Sequence, residues 1–202
     1  GGGMAIFDVE GDGDLDLYFV QANDLSSATD KQPPTGNKLF LQTAPLKFVD
    51  ATEQSGLGDL GHGMGVACAD FDGDGDVDVY LCNFGKDALY RNNGDGTFTN
   101  ITIEAGIGVE GISISAGWID FDQDSDLDLY ITQYIEFNPE TVCNDAAGRT
   151  EFCGPKAFPA SLDVFLENNG DGTFRDISKE VGIRESAAAS LGVSVFDFDE
   201  DG

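Results

Sequence analysis

An aspartate at every second position recurs through this chain, and that repetition restricts the available folds more than any other feature. The runs are DVEGDGDLD at 8–16, DFDGDGDVD at 70–78, DFDQDSDLD at 120–128 and DFDEDG at 197–202. Carboxylates this close repel one another and raise one another's pKa unless a cation sits among them. Asp8, Asp70, Asp120 and Asp197 are equivalent, at intervals of 62, 50 and 77 residues.

The unequal intervals come from insertions. A second landmark follows each complete run, as KLFLQTAPLKF at 38–48, ALYRNNGDGTF at 88–98 and VFLENNGDGTF at 164–174. A third follows as SGL, AGI and VGI, ending at Leu57, Ile107 and Ile183. The step from Tyr80 to Leu89 has no insertion, whereas Tyr18 to Leu39 carries 12 extra residues and Tyr130 to Phe165 carries 26. The basic unit is therefore about fifty residues, decorated at one loop position.

Within a unit the pattern is β. GVACAD enters the acidic run and VDVYLCN leaves it with alternating apolar positions, while ALYRNN and FTNIT flank a Gly-Asp-Gly hairpin turn. A repeat of this length with four sequential antiparallel strands predicts an all-β chain built of β-propeller blades. A β-sandwich leaves the self-similarity unexplained. The expected organisation is blade 1 over 1–58 with an insertion at 22–36, blade 2 over 59–108, and blade 3 over 109–184 with an insertion at 133–162. Residues 185–202 would supply the first strand and partial loop of a fourth blade. Three blades do not close a ring, so a larger propeller is expected.

Oxygen ligands at alternate positions of a tight loop suit a hard cation that takes six to eight of them, and calcium fits better than magnesium, which demands near-ideal octahedral geometry. The expected ligands of the second loop are Asp70, Asp72, Asp74, Asp76 (through its carbonyl) and Asp78, with Gly75 making the turn. The first loop offers Asp8, Glu10, Asp12, Asp14 and Asp16, and the third Asp120, Asp122, Asp124, Asp126 and Asp128. Asp197, Asp199 and Asp201 begin a partial fourth site. In the third loop Ser125 replaces the turn glycine, so a residue with a Cβ must make the turn. An EF-hand would need Glu at position 12 and flanking helices; here that position is Phe19, Leu81 and Ile131, and the flanks alternate as strands.

A net charge of −28 argues against nucleic acid or an anionic membrane surface as partner, while 41% hydrophobic residues argue against disorder. No run of eighteen apolar residues suggests a membrane span. The chain opens on GGGMAIFD without an initiator Met and reads as part of something longer. Cys143 and Cys153 flank a polar stretch that burial would not hold, so a disulfide is expected there, pointing to an oxidising compartment. Cys68 and Cys82 read as buried thiols, with a bond between them as the alternative. Asp95 and Asp171 read as turn residues, His62 as a loop residue, and Trp118 as core.

The acidic loops together with the NNGDGTF hairpins resemble the FG-GAP/VCBS repeat family. The GGGMAIFD opening, the stretch GHGMGVACADFDGDGDVDVYLCNFG and the insertion from Cys143 to Pro155 resemble, more closely, the ASPIC/UnbV family. This resemblance implies a propeller, calcium in the loops, and an extracellular or cell-surface setting. The function expected is a non-enzymatic, calcium-binding structural or adhesion scaffold, with a protein or glycan of the matrix or cell surface, or copies of itself, as partner. The alternatives are a self-assembling filament subunit and a carbohydrate-binding or polysaccharide-degrading propeller. A catalytic reading is disfavoured because one His and ten basic residues form no recognisable constellation. A carboxylate pair outside the loops in one concave pocket would favour it.

Overall fold

Three acidic runs become three tight turns, each joining the first two strands of a four-stranded antiparallel sheet. The computed structural model describes residues 2–23 and 35–196. The first sheet holds β1 (Met4–Phe7), β2 (Asp16–Phe19), β3 (Lys38–Ala44) and β4 (Lys47–Asp50), in that order. The second holds β5 (His62–Ala69), β6 (Asp78–Lys86), β7 (Ala88–Asn92) and β8 (Phe98–Asn100). The third holds β9 (Glu110–Ile119), β10 (Asp128–Gln133), β13 (Val164–Asn168) and β14 (Phe174–Asp176), interrupted in sequence by the small hairpin of β11 (Cys143–Asn144) and β12 (Thr150–Glu151). Register is shared as well as order: Leu17 pairs with Phe40, Val79 with Tyr90, and Leu129 with Leu166. The chain is a partial β-propeller.

Alternation along the strands places the cores between blades. Val79, Leu81, Tyr90 and Phe98 of the second blade pack with Phe7, Val9, Tyr18 and Leu39 of the first. Their neighbours in sequence, Tyr80, Cys82 and Leu89, face the other way and pack with Leu129, Ile131, Leu166 and Phe174 of the third. Both faces of β6 are therefore buried, which is why VDVYLC is apolar almost throughout. The two thiols divide between these layers: Cys68 packs against the first core, Cys82 lies in the second, and both are free.

The blades are also joined by backbone. The end of β6 pairs with the start of β9 through Phe84–Ile112, Gly85–Gly111 and Lys86–Glu110. The Gly63 amide donates to the Gln21 carbonyl, and the Ser190 amide to that of Gln133, at equivalent positions. His62 is not in a loop as its Gly-rich surroundings suggest; it opens β5. Residues 186–196 form no strand, yet Val193 and Val195 lie against Gly117 on the outer side of the third blade. The insertion at 22–36 falls mostly outside the described residues. That at 133–162 is tied down by the Cys143–Cys153 disulfide and a bridge between Ile135 and Ala160. The helix α1 (Thr52–Ser55) is a single turn.

Candidate metal centres

Each acidic turn is braced by its first and last aspartates. Asp70 accepts the Asp74 amide on one oxygen (3.1 Å) and the Gly75 amide on the other (2.9 Å), and Asp120 does the same with Asp124 and Ser125. Asp8 accepts the amides of Gly11, Asp12 and Gly13. The last aspartate is buried in every loop, at 1% exposure for Asp16, 0% for Asp78 and 2% for Asp128. One of its oxygens takes an amide from the start of its own loop, from Val9, Phe71 and Phe121 respectively. The other takes an amide from the neighbouring hairpin, from Gln42, Asn92 and Asn168. These residues thus serve as structural struts, apart from any ligand role.

Carboxylate oxygens converge in two loops. Asp70, Asp72 and Asp78 place oxygens within 4.8 Å of one another, and so do Asp120, Asp122 and Asp124. Two ligands of one calcium ion at 2.3–2.6 Å lie at most about 5 Å apart, so both groups fit the coordination shell of such an ion. Among the described residues the first loop gathers no such group. Asp74 and Asp124 each also accept an amide two residues on, from Asp76 and Asp126, as Asp12 does from Asp14. The side chains of Asp76 and Asp126 lean away, toward Gly94 and Gly170 of the adjacent hairpins, where a Cβ would sit 2.6 Å from a carboxylate oxygen. Asp197, Asp199 and Asp201 lie outside the described residues. Asp95 and Asp171 each accept from the following Thr97 or Thr173, as turn residues do.

Electrostatics mark the same places. Burial pushes the Asp78 carboxyl up to about 7, with Asp72 and Asp74 adding to the rise and the two backbone amides opposing it. Burial also raises Asp72, and Asp74 adds to it. Asp122 is raised by desolvation and by Asp124. In the third loop the turn is made at positive φ by Gln123 (62°) and Ser125 (79°), where the second loop uses Gly73 and Gly75. L residues held there cost on the order of 1–2 kcal/mol each.

Two sets of residues, one at the loops and one at the opposite ends of the strands, escape a reading of the sequence. Asn92 Nδ2 donates to the Val9 carbonyl in the first blade's loop (2.9 Å), and Asn168 Nδ2 to the Phe71 carbonyl in the second's (3.0 Å). Each hairpin asparagine thus clasps the acidic loop of the preceding blade. At the far end of β6, Asp87 accepts from Tyr80 (2.8 Å), from the Asn83 amide (2.7 Å) and from Ser113 of the next blade (2.6 Å). Asp163 repeats this with Tyr130, Gln133 and Ser190. The signal was present in the alignment, as a polar residue two places before Leu39, Leu89 and Phe165.

Repeated four-stranded blades with acidic turns between their first two strands define a repeat β-propeller protein. Residues 8–81 and 70–131 match the FG-GAP-like repeat family, and the chain belongs to it. It is also similar to cartilage acidic protein 1 of Mus musculus, at 25% identity over 219 residues, and to that of Xenopus tropicalis, at 26% over 219 residues. Each alignment covers 99% of this chain and 29% of the relative, so the chain spans under a third of the length of the curated relatives it matches.

Proposed function

We propose that the acidic loops hold calcium and that the chain is a non-enzymatic, extracellular scaffold or adhesion module stiffened by that metal. The observation that carries the reading is the convergence of Asp70, Asp72 and Asp78 on one point in a loop whose backbone is already fixed. Bound there, calcium would offset the burial, and the smaller repulsion from neighbouring aspartates, that raise Asp72 and Asp78. The extracellular setting draws support from the Cys143–Cys153 disulfide and from the likeness to a protein named for cartilage. Among the described residues no helix is long and apolar enough to cross a membrane.

A carboxylate pair does share a cleft outside the loops, Glu110 with Glu136, but both are exposed, whereas the acid of a hydrolytic pair needs an enclosed apolar setting. That disfavours hydrolysis. The self-assembling reading draws on exposed Met4 and Ile6, whose equivalents in the second blade, Val66 and Cys68, pack against a neighbouring blade. Light scattering in calcium and in chelator separates the two readings, since only assembly predicts a growing particle.

The metal itself is tested by a thermal melt. Millimolar calcium raises Tm by about 5–10 °C over chelator if it exceeds the dissociation constant roughly a hundredfold. Asp72→Ala, which removes an exposed side chain, loses a large part of the shift. An equal shift with magnesium, or none with calcium, overturns the assignment.

A further inference from the structure

At the opposite end of the blades from the acidic turns, the third blade's insertion folds back over the seam between β6 and β9. The Tyr134 amide, donating to the Ile112 carbonyl (3.0 Å), and the Phe137 ring, packed on Phe84, tie it to the seam, while the Ile135–Ala160 bridge, the Glu136 amide on the Pro159 carbonyl (2.9 Å) and the Cys143–Cys153 disulfide join its own two arms. Between insertion and seam lies a cleft of about 670 Å³. That volume is typical of a site for a few side chains. Its apolar wall includes Phe84, Ile112, Phe137 and Leu162, and its rim carries Glu110 and Glu136. Among the described residues that line it, none is basic.

The shape of the wall discriminates between ligands. Phe137 is 46% exposed, yet its ring is fixed edge-on to Phe84 (centroids 5.7 Å, 68°) and packed against Phe158 (5.3 Å). The two rings that line the cleft, Phe84 and Phe137, meet at a steep angle and make a corner, whereas a sugar ring stacks on a flat open face. A lysine or arginine uses a corner well: its methylene stem lies on apolar surface and its charged head reaches a carboxylate or a ring face. Glu110 and Glu136 offer such carboxylates, and a chain of net charge −28 draws cations toward a cleft and repels anionic glycans.

We propose that this cleft docks a basic peptide segment, with apolar side chains against the phenylalanine wall and lysine or arginine heads at Glu110 and Glu136. The site is spatially separate from the acidic turns, and its occupant is recognised whether or not a metal is bound. The test uses the whole chain and short fluorescent peptides read by anisotropy at physiological salt. The probes alternate Lys with Leu, Glu with Leu, or Lys with Ser. The Lys–Leu peptide binds, the Glu–Leu peptide does not, and the Lys–Ser peptide binds about tenfold more weakly. Glu110→Gln/Glu136→Gln and, separately, Phe137→Ala each weaken Lys–Leu binding by about tenfold. Neutralising two exposed residues elsewhere, Glu53→Gln/Glu104→Gln, leaves it unchanged.

An equal loss in that control would mean diffuse attraction to an acidic protein, and equal affinity for Lys–Ser would mean that the wall contributes nothing. Either overturns the proposal. So does a neutral xylan oligosaccharide whose binding is lost in Phe137→Ala while peptide binding is not. Repeating the titration in chelator keeps the outcome distinct from the calcium question, because the melt reads the metal and the anisotropy reads the cleft.

Discussion

At the scale of single residues, the choice between Asn37 and Asp87 follows from one position in the next blade. Where that position is Ser113 or Ser190, a hydroxyl donates across the seam and an aspartate receives it. Where it is Gly63, no hydroxyl exists, and Asn37 instead donates to Tyr18, whose hydroxyl in turn donates to the Leu57 carbonyl. Asp87 is therefore a buried carboxylate with three donors and, among the described residues, no cationic partner, and burial pushes it up to about 7. The folded chain holds this proton between about pH 4 and pH 7 while the unfolded chain has released it, so stability falls as pH rises through that window. Asp87→Asn, melted across this range in saturating calcium, should show a flatter profile, with a gain on the order of a few kcal/mol relative to wild type above pH 7. An unchanged profile would assign the titration to other groups. The acidic runs were legible because repulsion at fixed spacing has few explanations. Asp87, in FGKDAL, was not: nothing local separates a buried strut from a solvated loop residue.

At the scale of the strand and its turn, the second residue of the first two acidic runs acts as a plug for the next blade. Val9 is 1% exposed in the first core, and Phe71 is 2% exposed, stacked on Trp118 (5.9 Å) and against Phe174 (5.6 Å) in the second. The equivalent Phe121, with no described strand beyond it, is 52% exposed and meets Phe165 edge-on (5.0 Å). Phe71→Ala should cost about 3–5 kcal/mol in urea unfolding and Phe121→Ala under about 1 kcal/mol. Similar losses for both would mean that Phe121 is also covered. Strand order was legible from alternation and the hairpin turns. The start of β5 was not, because GHGMG has the composition of a loop. Its glycines serve another purpose: a Cβ on Gly63 would lie 2.1 Å from Val20 Cγ1, and one on Gly65 2.2 Å from the Ile114 carbonyl oxygen. They let neighbouring blades approach within a strand, and sequence cannot distinguish that need from a turn's.

At the scale of the whole molecule, the charge of −28 opposes compactness everywhere, while the struts and cores act between particular pairs of blades. Raising NaCl from about 20 mM to about 300 mM shortens the Debye length from roughly 20 Å to under 10 Å. In chelator this should raise Tm by a few degrees, and in calcium by less; a fall in Tm would mean that self-repulsion is not what limits stability. The clasps have a further consequence during synthesis. Asn92 lies 83 residues after the Val9 carbonyl it holds, and Asn168 lies 97 after that of Phe71. At roughly 5–20 residues per second a ribosome needs on the order of 4–20 s to deliver each partner. The first and second blades therefore leave the ribosome with an open flank and wait for the next blade, and the nascent chain is most vulnerable to proteases and to wrong partners during those intervals.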